Sequence, residues 1–100
     1  MKVSNMISPR SGRPVANQYI IVDDKWNVYF QSYKSIIAKA KRLDYKPENK
    51  YINQIYLDIN YWDYSRTTLK YLNQFLGTSS KKEIQEKIKS GEYILTDLNK

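Results

Sequence analysis

The chain has 100 residues with 17 Lys and Arg against 10 Asp and Glu, so it is sized for one domain and carries a formal net charge of +7 that favours an anionic partner. Cysteine and histidine are both absent, which excludes disulfides, zinc sites built from Cys or His, thiol nucleophiles and Ser-His or Cys-His dyads. Ten tyrosines help offset a modest hydrophobic fraction of 41% and argue against disorder. No run approaches the ~18 apolar residues of a membrane span, and no apolar segment follows Lys2 as in a signal peptide, so a soluble protein inside the cell is expected.

Residues 1–14, MKVSNMISPRSGRP, read as a basic N-terminal arm or loop ahead of a single domain over 15–98. Pro9 and Pro14 restrict their neighbours, and Ser11-Gly12 is a turn signal. Arg10 and Arg13 flank that turn, where two guanidinium groups helped by backbone amides can hold a phosphate or carboxylate. The plainer reading is a solvated basic turn. Val15 to Val22 and Val28 to Tyr33 are expected to form a hairpin about the turn formers Asp23, Asp24, Lys25 and Asn27. Tyr29 and Tyr33, with Tyr19 if the register permits, make an aromatic row that either braces the sheet or stacks nucleobases.

Ser35 to Leu43, SIIAKAKRL, has Ile36, Ile37, Ala40 and Leu43 at helical spacing and predicts a short helix, capped by Ser32 or Ser35, with Lys34, Lys39, Lys41 and Arg42 on its wet side. Pro47 then breaks the pattern within Tyr45 to Asn49. The densest apolar and aromatic stretch, Tyr51 to Gly77, is the expected centre of the fold. Tyr51, Ile55, Leu57 and Ile59 recur with the period of a strand, and Leu69, Leu72, Phe75 and Leu76 with that of a helix. The change falls at an aromatic corner of Tyr61, Trp62 and Tyr64. Asp63 or Ser65 is the N-cap and Gly77 the C-cap. On the polar side Arg66 and Lys70 lie one turn apart beside Tyr64 and Tyr71, an arrangement that suits phosphate contacts with base stacking, or an exposed or protein-docking helix.

Ser80 and Glu83 match a capping box, so a third, peripheral helix runs to about Ser90, and Glu92 to Leu98 form a last strand. The expected fold is α+β: a small, mainly antiparallel sheet of about four strands with two to three helices packed on one face. Strand order stays open. The last strand either pairs with the central one or joins an edge, and an unpaired edge offers a route to a homodimer.

Catalysis would have to come from carboxylates, Lys, Tyr, Ser or a metal. Asp58 with Asp63, or Asp23 with Asp24, could ligate Mg²⁺, but aspartates in turns ordinarily cap them, and neither a P-loop nor a GxGxxG pattern occurs. A non-enzymatic protein with no cofactor and no metal is expected.

SPRSGRPVANQYII (Ser8 to Ile21), YFQSYKSIIA (Tyr29 to Ala38), WDYSRTTLKYLNQFL (Trp62 to Leu76) and SGEYILTDL (Ser90 to Leu98) resemble a group of small uncharacterised bacteriophage accessory proteins of low-GC Gram-positive hosts. The resemblance spans most of the chain and brings no functional residues with it. It implies a non-enzymatic binder in the bacterial cytoplasm that redirects or blocks host machinery, including nucleoprotein defence complexes. A DNA mimic would be acidic, which the charge of +7 rules against. The expected partner is therefore nucleic acid or a host complex containing it, as in an anti-CRISPR-like counter-defence inhibitor, with Arg10, Arg13, Arg66 and Lys70 on the anion and Tyr64 and Tyr71 as aromatic contacts. The alternatives are a self-associating protein-interaction module and a sponge for a small anionic nucleotide held by the Arg10 and Arg13 turn.

Overall fold

Alternating side chains and turn-forming connections set up most of the chain as a meander. The computed structural model describes residues 1–42 and 53–100, and its elements are β1 (Lys2–Ile7), β2 (Pro14–Val22), β3 (Val28–Ser32), β4 (Ser35–Arg42), β5 (Asn53–Asp58), α1 (Arg66–Leu76), α2 (Lys81–Lys89) and β6 (Tyr93–Thr96). The strands lie in sequence order in one mixed sheet. β1 to β5 pair antiparallel with their neighbours, and β6 joins β5 in parallel after the two-helix crossover. This is an α+β domain with two helices, but it has more strands than the four expected.

Two segments account for the difference. Residues 2–7, expected in an arm or loop, form edge strand β1 against β2. Only Met6 of that strand is buried, so an edge position leaves little alternation in the sequence to reveal it. Pro14 opens β2, a place in a strand that tolerates a missing amide hydrogen. The segment from Ser35, expected as a helix, is strand β4. Phe30 pairs with Ala38 and Gln31 with Ile36, which leaves Ile37 as an extra residue in a β-bulge. Ile37 and Ala38 are both fully buried, and this break in alternation reproduces the adjacent apolar pair of a helical stripe. Ser32 therefore caps nothing. It is buried, and its hydroxyl lies 2.9 Å from that of Thr68 in α1. The expected breaker at Tyr45 to Asn49, together with Leu43 and Tyr51, lies outside the described residues.

The helices pack on the sheet face that carries Phe30, Ala38 and Leu57. Phe30 stacks on Phe75 with ring centroids 5.9 Å apart, and Leu72 and Ile84 are fully buried beside it. Each such side chain contributes about 1.5–3 kcal/mol by leaving water. Ser65 caps α1 by accepting from the Thr68 amide at 3.1 Å, and Gly77 ends the helix at φ 73°, a left-handed conformation that suits glycine. Asp63, the other expected cap, instead lies 3.6 Å from Lys81. Ser80 caps α2 through the Glu83 amide, but the Glu83 carboxylate reaches back to the amide and hydroxyl of Ser79, so the reciprocal half of the capping box is displaced by one residue.

Candidate nucleic-acid interface

Strand direction decides which connections share an end of the sheet. The Ser8–Arg13 turn, the two-residue Tyr33–Lys34 turn, the corner from Ile59 to Ser65 and the residues after β6 all fall at one end. Side-chain and backbone bonds tie these pieces together. Gln74 of α1 donates to the Ile7 carbonyl at 2.8 Å, and the Tyr33 amide donates to the Asn17 carbonyl at 2.7 Å. Asn99 donates both to the Ile36 carbonyl and to the Asp58 carboxylate.

Asp58 is fully buried at the centre of this end. One carboxylate oxygen accepts from the amides of Asn60 and Tyr61, and the other from the Leu98 amide and the Asn99 side chain. The residue weighed as a metal ligand is thus the knot that fixes the corner. Its four donors turn the chain out of β5 and fasten the C-terminal residues over it. Tyr61 and Tyr64 are held on the outside, edge to face at 5.5 Å, 37% and 48% exposed, while Trp62 points inward.

Five cations lie at the same end of the sheet as these rings. Arg10, Arg13, Lys34, Arg66 and Lys70 are exposed, and none has an acidic partner within ion-pair distance among the described residues. Because Gln74 is fastened to Ile7, the face of α1 that carries it leads toward the Ser8–Arg13 turn. Lys70 and Arg66 follow one and two turns back, roughly 6 and 12 Å along the axis. Topology therefore places Arg10, Arg13, Arg66 and Lys70 at one end of the molecule, with Tyr64 beside them.

Tyr71 does not belong to this surface. It is buried in the core with 8% exposure, because its position faces the sheet alongside Leu72, and the Lys70 ammonium lies over its ring, at 5.4 Å. The Arg10 and Arg13 turn also differs from the expected clamp. Ser8 accepts from the amides of Arg10, Ser11 and Gly12 through its side chain and carbonyl, and the Ser11 hydroxyl accepts from the Arg13 amide. The turn's amides are spent on its own shape, so its guanidinium groups would meet an anion without them.

Lys34 and Tyr61, also at this end, were not among the expected contacts, and Tyr33, expected in a row with Tyr29 that braces the sheet or stacks nucleobases, lies in the turn after β3. Tyr33 is 50% exposed and holds φ 56° at the first position of its turn. Reading the following strand as a helix hid the tight turn. Two successive apolar strands separated by Tyr33–Lys34 are the signal that would have shown it.

The opposite end is built differently. Asp23 accepts from the Lys25 and Asn27 amides, the Asn27 side chain and the Tyr29 hydroxyl. Partial desolvation pushes its carboxyl up, but these bonds, led by those from Asn27, outweigh it and hold the pKa at about 2. Desolvation, and then the bond to Asp23, raise the Tyr29 pKa. Trp26 projects from this turn, 66% exposed, at φ 66°.

Among the described residues no helix is long and apolar enough to cross a membrane. No curated protein and no solved structure matches the chain. Residues 1–91 match the model of a family of unknown function, DUF8033, and the chain belongs to that family.

Proposed function

We propose that this protein binds nucleic acid, free or within a host nucleoprotein complex, through the end of the sheet that carries Arg10, Arg13, Lys34, Arg66 and Lys70. The observation that supports this reading is that these cations, without acidic partners among the described residues, lie at the same end of the sheet as the exposed rings of Tyr33, Tyr61 and Tyr64. Guanidinium and ammonium groups neutralise phosphates in any sequence, and tyrosine faces stack on any unpaired base. The chemistry is suited to a flexible single strand with little sequence preference. A protein with this surface could occlude the nucleic acid of a defence complex without any catalysis, in keeping with the phage resemblance.

The test is fluorescence anisotropy with labelled single-stranded RNA and DNA at several salt concentrations. Five phosphate contacts predict a log–log salt slope of about −3.5, or roughly a hundredfold loss of affinity between 50 and 200 mM salt. Arg66→Glu with Lys70→Glu is expected to weaken binding at least tenfold and to flatten that slope. Unchanged affinity in a folded double variant would remove α1 from the interface.

A further inference from the structure

The sheet face turned away from the helices carries a row of paired residues: Ile21 opposite Tyr29, Tyr29 opposite Lys39, Lys39 opposite Tyr56 and Tyr56 beside Ile94. The Tyr29 ring is anchored at its hydroxyl by Asp23, and the Lys39 ammonium lies 5.4 Å from its centroid. Toward β6 this face becomes concave. Lys39, Lys41, Tyr56, Thr96, Asp97 and Leu98 line a cavity of about 310 Å³, at the lower end of the size of small-molecule sites.

The lining has a specific chemical character. Lys39 and Lys41 are two apart on one strand, so both side chains rise from the same face, roughly 7 Å apart along it. Neither is ion-paired among the described residues, although Asp97 lies in the same lining. Two such ammonium groups beside one concavity favour an anion. A carboxylate there opposes a bare phosphate, yet it is the group that accepts hydrogen bonds from sugar hydroxyls next to a phosphate. One Asp97 oxygen accepts from the Asn99 amide, leaving the other to receive a hydroxyl. Tyr56, directly opposite Lys39, supplies a ring against which a base can lie.

We propose that this cavity is a ribonucleotide site, separate from the cation-rich end of the sheet, with the phosphate on Lys39 and Lys41, the ribose hydroxyl on Asp97 and the base against Tyr56. The ligand is either a free nucleoside monophosphate or one unit of an RNA strand, since both present the same phosphate, ribose and base.

The experiment is a titration of the ¹⁵N-labelled full chain, followed by amide shifts, with adenosine and cytidine 5′-monophosphates, their 2′-deoxy counterparts, inorganic phosphate and a short oligoadenylate. Saturable shifts centred on Lys39, Lys41, Tyr56 and Thr96 are expected, with deoxynucleotides about tenfold weaker and phosphate alone weaker still. Tighter binding of the monophosphate than of the oligomer, per nucleotide, identifies the free ligand; the reverse identifies the strand. Lys39→Glu with Lys41→Glu is expected to abolish these shifts, and Asp97→Asn to narrow the ribose preference, while the Arg66→Glu and Lys70→Glu protein still binds the monophosphate within twofold. The proposal is overturned if the wild-type chain gives no saturable shifts, or if they centre on Arg10, Arg13 and Arg66. Equal affinity for ribo and deoxy forms overturns the role of Asp97.

Discussion

The two ends of the sheet are each organised by one aspartate, and the two are used in opposite ways. Asp58 is fully buried and collects donors from two stretches of chain: the Asn60–Tyr61 turn and the consecutive residues Leu98 and Asn99. Asp23 sits at the surface and collects donors chiefly from its own turn, with Tyr29 the one ring added. One carboxylate joins segments distant in sequence, and the other shapes a hairpin. Arg10, Arg13, Lys34, Arg66 and Lys70 at the Asp58 end have no acidic partner among the described residues, whereas the Asp23 end projects a strained tryptophan. A turn acid in a sequence therefore carries no fixed meaning until the origin of its donors is known.

The contrast is broken most severely at Asp58. Asp58→Ala strands buried amide donors and releases the C-terminal residues, so a loss of about 3 kcal/mol or more is expected in urea unfolding, with the Tyr61–Tyr64 corner disordered. A loss under 1 kcal/mol would mean that water substitutes for the carboxylate and that the knot is dispensable. Trp26→Gly tests the other end in the opposite direction. A residue with a β-carbon is strained in the left-handed region, so glycine at Trp26 is expected to stabilise the fold by about 1 kcal/mol. Destabilisation instead would show that the indole packs on Met1, Lys2 and Val22, which line a cavity with it.

The smallest effect is confined to acid pH. The Asp23 carboxyl titrates at about 2 in the folded chain against an ordinary value of 3.8. A depressed pKa contributes stability that is fully present above the unfolded value and is lost as pH falls through the folded one. Stability is thus expected to decline from pH 4 to pH 2, and Asp23→Asn to remove part of that decline. Parallel pH profiles for the two proteins would show that the turn's bonds do not depend on the charge.

Much of this arrangement was legible in the sequence. The hairpin of β2 and β3, the central strand, the caps at Ser65, Gly77 and Ser80, and the closing strand all rest on local signals: alternation, turn chemistry and capping oxygens. What was hidden depends on long-range partners. β1 is a strand because β2 supplies its bonds, and β4 is one because β3 and β5 pair with it on either side, with Ile37 left over as a bulge. For β6, pairing with the central strand was one of two alternatives, and its parallel direction was out of reach, since local propensity does not set strand direction. At the interface, residue type and spacing pointed to Arg66 and Lys70, but only the packing of α1 could show that Tyr71 faces inward.

The sheet's strand order has a consequence for how the chain assembles. Each antiparallel pairing from β1 to β5 joins sequence neighbours, whereas the β5–β6 pairing must close the whole stretch from Ile59 to Glu92. Loop-closure entropy of the longest reach is thereby concentrated in one event. The four-residue β6 ladder alone is a small return for that closure, so the docking of Tyr93 and Leu95 against the helix layer has to supply the rest. The meander is a sheet that can grow strand by strand, and its last strand is the clasp.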